Sequence, residues 1–300
     1  MSVFMLKIFS KILSRESANL IGEFLDDQKL VQWSIEKDCL RDEYFLCGYV
    51  PNEQVGNADF AKIKSTFSDL GNTEISTINP SDWEEVYKKS AKLWKCEDLY
   101  WVPTFLKGEV KIPEDGIRVY IEPGMAFGSG SHETSRLCAR ALVMFKSLYK
   151  KTNDLIIKSC IDIGCGSGIL GISALKLGLS HATFIDIDAD ATRISRENAL
   201  ANGLFLDQMD FVTGDVRVSL LGRHADLLMA NILSNVLIEN ADLLVNSVKP
   251  GGLLCVSGIL KDEKFNVASE FTKFIKKRWA SVVESSMDDG EWSLLAYFRG

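Results

Sequence analysis

The apolar and polar positions change period along the chain, and the changes mark its elements. Near the N-terminus, residues 2–9 alternate as a strand. A helix is predicted over about 16–27, then strands over 29–37 and 43–50. Residues 57–70 carry Phe60, Ile63, Phe67 and Leu70 at helical spacing, and a strand follows at 74–79. The order is β-α-β-β-α-β, a ferredoxin-like split unit. Pro80-Ser81-Asp82 is a helix start signal for about 82–93. Trp83, Tyr87, Trp94, Tyr100, Trp101 and Phe105 read as an aromatic stripe burying this linker, and Pro103 and Pro113 interrupt regular structure.

From residue 116 onward short apolar runs alternate with helical periods. Strands are predicted at 117–121, up to Asp162, at 182–187, 209–213, 225–230 and 253–257. Helices fall at about 136–149, 169–178, 190–202 and 262–277. Another follows residue 231, with Leu237, Ala241, Leu244, Val245 and Val248 on one stripe. Pro250-Gly251-Gly252 reads as the turn into strand 253–257. Strands 279–285 and 292–298, joined by residues 286–290, close the chain as a hairpin. The pattern predicts an α/β fold with a Rossmann-like sheet and C-terminal antiparallel hairpin, preceded by a small α+β ferredoxin-like domain. The expected boundaries are 1–80 for the small domain, 81–115 for the linker and aromatic segment, and 116–300 for the large domain.

Charge and composition narrow the function. The net charge of −7 argues against broad binding to nucleic acid or anionic lipid. Residues 1–80 hold 8 Lys/Arg against 12 Asp/Glu, so a basic RNA face is not expected there. No apolar run has the length of a membrane span. Lys7, Lys11 and Arg15 interrupt the N-terminal apolar residues, so a signal peptide is not expected. Seven cysteines without a C-x-x-C pair suit reduced thiols in a cytoplasm.

The chemistry concentrates in Cys160–Gly171, where an apolar strand ends in an acid and a glycine turn precedes a helix. Gly164, Gly166 and Gly168 allow a sharp turn and close approach of a ligand to the backbone. The helix start offers free N–H groups. The turn is therefore a nucleotide- or nucleoside-binding feature of an α/β sheet. Gly166, Gly168 and Gly171 also satisfy the dinucleotide fingerprint, with Asp186 and Asp188 some 20 residues on, so an NAD(P)-dependent oxidoreductase stays open. Residues 122–135 form a loop rich in glycine and hydroxyl groups that can fold over a ligand. His132 has no partner at metal-ligand spacing in His181 or His224, and is expected to orient that loop.

These residues carry a resemblance. Asp162-x-Gly164-x-Gly166-x-Gly168, the acid after the second strand and the terminal hairpin are similar to the class I S-adenosylmethionine-dependent methyltransferases. More narrowly, Pro-Gly-Met-Ala-Phe-Gly-Ser-Gly-Ser-His-Glu-Thr-Ser at 123–135 resembles the Pro-Gly-Leu-Ala-Phe-Gly-Thr-Gly-Thr-His-Pro-Thr-Thr loop of the PrmA family, which methylates the large-subunit ribosomal protein L11. Ile-Asp-Ile-Gly-Cys-Gly-Ser-Gly-Ile-Leu, Ile-Asp-Ile-Asp, Ala-Asn-Ile-Leu (230–233) and Gly-Gly-Leu-Leu-Cys-Val-Ser-Gly-Ile-Leu (251–260) follow in the same order. The resemblance is close over 120–260 and looser over 1–110.

What the resemblance implies is an enzyme that moves methyl groups from S-adenosylmethionine to lysine or N-terminal amines of ribosomal protein L11, leaving S-adenosylhomocysteine; a monomer in the cytoplasm is expected. It places cofactor contacts at Ser135, Gly164, Asp186 and Asn231, with Asp162, Gly166, Gly168, Asp215 and Phe127 beside them. Asn231 would orient the amine; no general base is assigned. Ser135 keeps the hydroxyl of the family's Thr, whereas Glu133 replaces its Pro. The N-terminal domain, where the family docks its protein substrate, departs most. Methylation of another protein or a small molecule, and a non-catalytic module retaining the turn, stay open beside the oxidoreductase.

Overall fold

The computed structural model describes residues 5–12, 14–28, 30, 32–38, 43–50, 52–67, 70–78, 92–122, 132–151 and 158–300. The chain divides into two compact units, Met1–Val86 and Tyr87–Gly300. The expected helix start at Ser81, most of helix 82–93, and the glycine loop from 123 to 131 with Phe127 lie outside the described residues.

The first unit runs β1 (Met5–Ile12), α1 (Arg15–Asp27), β2 (Trp33–Asp38), β3 (Glu43–Val50), α2 (Glu53–Thr66) and β4 (Leu70–Ile78). Its sheet has the order β2-β3-β1-β4 with every pair antiparallel. Strand alternation sends Ile8, Ile12, Leu46 and Val50 to the face covered by the helices, where they meet Ile21, Leu25, Phe60 and Ile63. Trp33 fits against Gly48, where a Cβ would stand 2.7 Å from the indole. The second helix begins before residue 57, because Asn52 caps it by accepting from the Val55 N–H at 3.0 Å. Its apolar period runs on to Leu70, but Phe67 is already extended and Leu70 opens β4.

The second unit opens with two strands where a linker was expected. β5 (Trp94–Cys96) pairs antiparallel with β6 (Leu99–Pro103), and β6 pairs parallel with β7 (Ile117–Ile121). Burial explains the difference: Trp101 is 2% exposed and donates its Nε1–H to Ser173 Oγ at 2.9 Å, joining this small sheet to the large domain. Then come α3 (Glu133–Lys151), β8 (Ser159–Ile163), α4 (Ile169–Lys176), β9 (His181–Asp186), α5 (Ala189–Ala201) and β10 (Met209–Thr213). α6 (Val216–Ser219), β11 (Ala225–Asn231), α7 (Ser234–Asn246), β12 (Val248–Leu260), α8 (Lys264–Arg278), β13 (Val282–Asp289) and β14 (Trp292–Arg299) complete it.

The seven-stranded sheet has the order β10-β9-β8-β11-β12-β14-β13. The first five strands are parallel, and β14 runs antiparallel between β12 and β13. One face packs on α3, α4 and α5 through Leu137, Leu142, Ile172 and Ala199. The other packs on α7 and α8 through Leu237, Leu244, Phe271 and Ile275. Covering on both faces accounts for the near-continuous apolar runs of the parallel strands. β12 runs through Pro250-Gly251-Gly252 instead of starting after it, with a register shift against β11 between Ala225 and Leu227 absorbing the irregularity. The closing hairpin is tighter than the sequence suggests. Asp289 pairs with Trp292, which leaves Gly290-Glu291 as a two-residue turn with Gly290 at φ 56°.

Candidate active site

The strand order reverses at β8. From β8 the chain crosses through α4 to β9 on one side, while β11 lies on the other. The crevice at the carboxyl ends of such strands is where an open α/β sheet takes ligands. A cleft of about 550 Å³ occupies this position. Its walls follow the sheet: Asp215 after β10, Asp186 from β9, Gly164 after β8, Asn231 from β11, Gly258 from β12 and Trp292 from β14. The structure thus brings four of the expected residues, Gly164, Asp186, Asp215 and Asn231, onto one cleft.

The glycine turn is fixed from several sides. The Gly164 and Cys165 N–H groups donate to the Ile185 carbonyl at 2.8 and 3.1 Å. Gly166 donates its N–H to Asp186 Oδ2, and Asp188 donates to Asp186 Oδ1, both at 3.0 Å. Gly166 therefore acts by positioning Asp186. On α5, Ser195 donates to the Gly166 carbonyl at 2.9 Å and Asn198 to the Ser167 carbonyl at 2.9 Å. These two clamps were not legible in the sequence, because nothing in helical period marks a polar side chain that faces inward. Gly164 sits at φ 65°, and a Cβ there would stand 2.3 Å from Ile232 Cγ2. Close packing on the segment after β11 demands glycine even before any ligand enters.

Besides Gly166, three expected contacts, Asp162, Gly168 and Ser135, do not lie on the cleft wall. Asp162 is 1% exposed and its Oδ2 accepts the Gly171 N–H at 2.9 Å. It satisfies an amide in the first turn of α4, whose N-cap Gly168 has no side chain to do so. Burial, with the negative Asp186 adding to it and the Gly171 bond opposing, pushes the Asp162 carboxyl up to about 8. Gly168, at φ 80°, packs against Ser195. Ser135 is likewise 1% exposed, behind the wall, where Asn231 Nδ2 donates to its hydroxyl at 3.4 Å. Its neighbour Thr134 reaches the cleft instead.

At the centre, Asn231 is 9% exposed and its Oδ1 has no hydrogen-bond partner among the described residues. A buried carbonyl oxygen without a donor is costly, so it is an acceptor waiting for an N–H or O–H. Asp215 caps α6 by accepting the Arg217 N–H at 2.8 Å and shows the rest of its carboxylate to the cleft. Arg217 and Glu239, paired at 2.5 Å, flank that end.

The opposite end holds His132 and Trp292. His132 Nδ1 lies 2.8 Å from Thr134 Oγ1, and its ring meets the Trp292 indole edge-on with centroids 5.0 Å apart. Burial lowers its pKa, keeping the imidazole neutral. The expected loop-orienting role fits the Thr134 contact, and the ring also lines the cleft. Trp292 was missed in the sequence, where it is one aromatic of a terminal strand.

The family described as ribosomal protein L11 methyltransferase (PrmA) matches residues 9–299. The chain is 35% identical over 240 residues to the ribosomal protein L11 methyltransferase of Shewanella pealeana, covering 79% of this chain and 75% of that protein. It is 31% identical over 281 residues to that of Prochlorococcus marinus, covering 92% of this chain and 84% of that protein. Among solved structures, the ribosomal protein L11 methylase of Lactobacillus delbrueckii subsp. bulgaricus shares the fold with a TM-score of 0.54 at 23% identity, over 69% of this chain and 98% of that one.

Proposed function

The chain belongs to the ribosomal protein L11 methyltransferase (PrmA) family, and from that premise we propose that it transfers methyl groups from S-adenosylmethionine to lysine or N-terminal amines of ribosomal protein L11. Membership makes it a methyltransferase and removes the oxidoreductase reading of the glycine turn. The observation that carries the finer proposal is the unpartnered, buried Asn231 Oδ1 in the same cleft as Asp186. One is an acceptor suited to an amine; the other is an acid at the end of the second parallel strand, suited to ribose hydroxyls.

The residues fit the cofactor. Each Asp186 oxygen already accepts one backbone N–H and keeps a lone pair for a hydroxyl. Gly164 puts bare backbone on the cleft wall, and Asp215 stands at the β10 end for a nucleoside donor. Ser135 supports Asn231 from behind. When bound, S-adenosylmethionine supplies a methyl group on a positive sulfur, a strong leaving group. The protein then needs chiefly to position the amine, and proximity and orientation supply roughly 7–11 kcal/mol of the barrier.

The amine must arrive neutral, although a free lysine has a pKa of about 10.4. The cleft favours that form. Its acids, Asp186, Asp215 and Glu239, lie on the β9–β10 side or on α7, while the amine side presents an amide, a neutral imidazole and an indole. Desolvation there lowers the pKa of an entering ammonium. Asn231 Oδ1 accepts one amine N–H and aims the lone pair. We assign residues 1–80 to substrate selection and 116–300 to cofactor binding and reaction, in a monomer acting in the cytoplasm.

Calorimetry tests the cofactor assignment. Wild type should bind S-adenosylmethionine and not NAD, and Asp186→Ala should weaken binding by about 1.5–3 kcal/mol, the scale of a charge-assisted hydrogen bond. Unchanged affinity would take Asp186 out of the site. Binding of NAD in place of S-adenosylmethionine would overturn the reading.

A further inference from the structure

The unpartnered oxygen of Asn231 has a counterpart on α7. Asn240 is 6% exposed and lines the same cleft. Its Nδ2 donates to the Val236 carbonyl at 2.8 Å. A carbonyl can only accept, so this bond fixes which end of the amide faces it. Oδ1 is left with no partner among the described residues. Asparagine is seldom this buried on a helix, and an amide oxygen left unpaired costs about 1–3 kcal/mol. A ligand that brings a donor removes the cost. The position tells which end of the ligand that is. The preceding residue, Glu239, pairs with Arg217 at 2.5 Å, which ties this turn of α7 to the segment that begins at Asp215. Asn240 therefore belongs to the β10 end, beyond Asp186, where the base of the nucleoside goes.

The side chains at this end offer acceptors. Asp215 gives one carboxylate oxygen to the Arg217 N–H and shows the rest to the cleft. The Arg217 guanidinium is engaged by Glu239. Ile185, Ile187, Val216 and Val236 stand around them with no polar side-chain atom. An apolar slot with two acceptors suits a flat base carrying an amino group, which has two N–H bonds to give. We propose that Asn240 is a specificity-determining residue. Its Oδ1 accepts one N–H of the base's exocyclic amine, and with Asp215 it makes the cleft select an aminopurine over a purine that lacks the group. Discrimination comes from the rejected ligand. A base without the amine leaves buried oxygens unpaired, which costs more than the made bonds gain. The inference rests on the cofactor reading given above.

The test is calorimetry with two ligands, S-adenosylhomocysteine and its analogue with hydrogen in place of the exocyclic amine. Wild type should prefer the first about 30- to 100-fold. Asn240→Leu and Asn240→Ala, which lack the acceptor, should each narrow that preference about tenfold. Asn240→Asp keeps an oxygen there and should retain it. Without ligand, Asn240→Leu should unfold at no lower a urea concentration than wild type, because an unpaired acceptor has been removed. A merely structural Asn240 would lower both affinities alike and leave their ratio unchanged, which overturns the proposal. A wild type indifferent to the amine also overturns it. If wild type binds neither ligand, the cofactor reading itself fails and the inference falls with it. Tight binding of S-adenosylhomocysteine with an unchanged ratio in the variants refutes the role of Asn240 alone.

Discussion

Asp162 and Asp186 look alike in the sequence: each is an acid at the end of an apolar strand, just before a turn. The structure separates them. Asp186 faces the cleft, whereas Asp162 lies under the turn and holds the Gly171 amide. Spacing alone cannot tell which side of a turn a carboxylate takes. The separation has a measurable consequence. Burial raises the Asp162 carboxyl from 3.8 to about 8, so the folded state binds the proton more tightly than the unfolded chain. The contribution is therefore intact below about pH 4 and falls steadily as pH rises to about 8, where it levels off. Asp162→Asn keeps an acceptor for Gly171 without the charge. It should match wild type near pH 4 and exceed it at pH 9, on the order of 5 kcal/mol by urea unfolding. Parallel pH profiles for the two proteins would show that Asp162 carries its charge at no cost. Asn231 teaches the converse. Its place at a strand end was legible from the resemblance, but its unpartnered oxygen was not, because hydrogen-bond satisfaction depends on neighbours such as Ser135, 96 residues away.

At the scale of elements, strand, glycine turn and helix were readable from period and composition, since an apolar run and a glycine cluster each have a local cause. Elements set by long-range partners were not. Pro250 and Gly252 look like a stop, yet β12 continues through them because β11 pairs on one side and β14 on the other. Trp94 to Pro103 reads as a linker, yet pairs into strands once Trp101 reaches Ser173. The turn itself offers a test. A valine at position 164 meets both a positive φ and the Ile232 side chain at 2.3 Å from its Cβ. Since Ile232 follows Asn231, Gly164→Val should shift that segment and abolish measurable S-adenosylmethionine binding. The sheet should stay folded, as judged by circular dichroism, with a loss of about 1–3 kcal/mol from strain and overpacking. Retained tight binding would mean that neither the turn nor the Asn231 segment approaches the cofactor.

For the whole molecule, the division into a split β-α-β-β-α-β unit and a parallel sheet ending in a hairpin follows from the order of periods along the chain. The cleft does not. Residues 164, 186, 231 and 292 converge because the strand order reverses at β8 and β14 runs backward, and neither topological fact is written locally. Every cofactor contact proposed here lies after residue 116, and the second unit alone is large enough to bury two cores. We therefore propose that chemistry belongs to that unit and choice of target to residues 1–80. The most direct test is the intact mass of ribosomal protein L11 after incubation with S-adenosylmethionine and either the full-length chain or residues 81–300. The full-length chain should add whole methyl increments, located by fragmentation on lysine or N-terminal nitrogen. The shorter chain should bind the cofactor and leave ribosomal protein L11 nearly unmodified, because docking no longer raises the local concentration of the target amine. An unchanged mass with the full-length chain, under conditions where it binds the cofactor, would contradict the account.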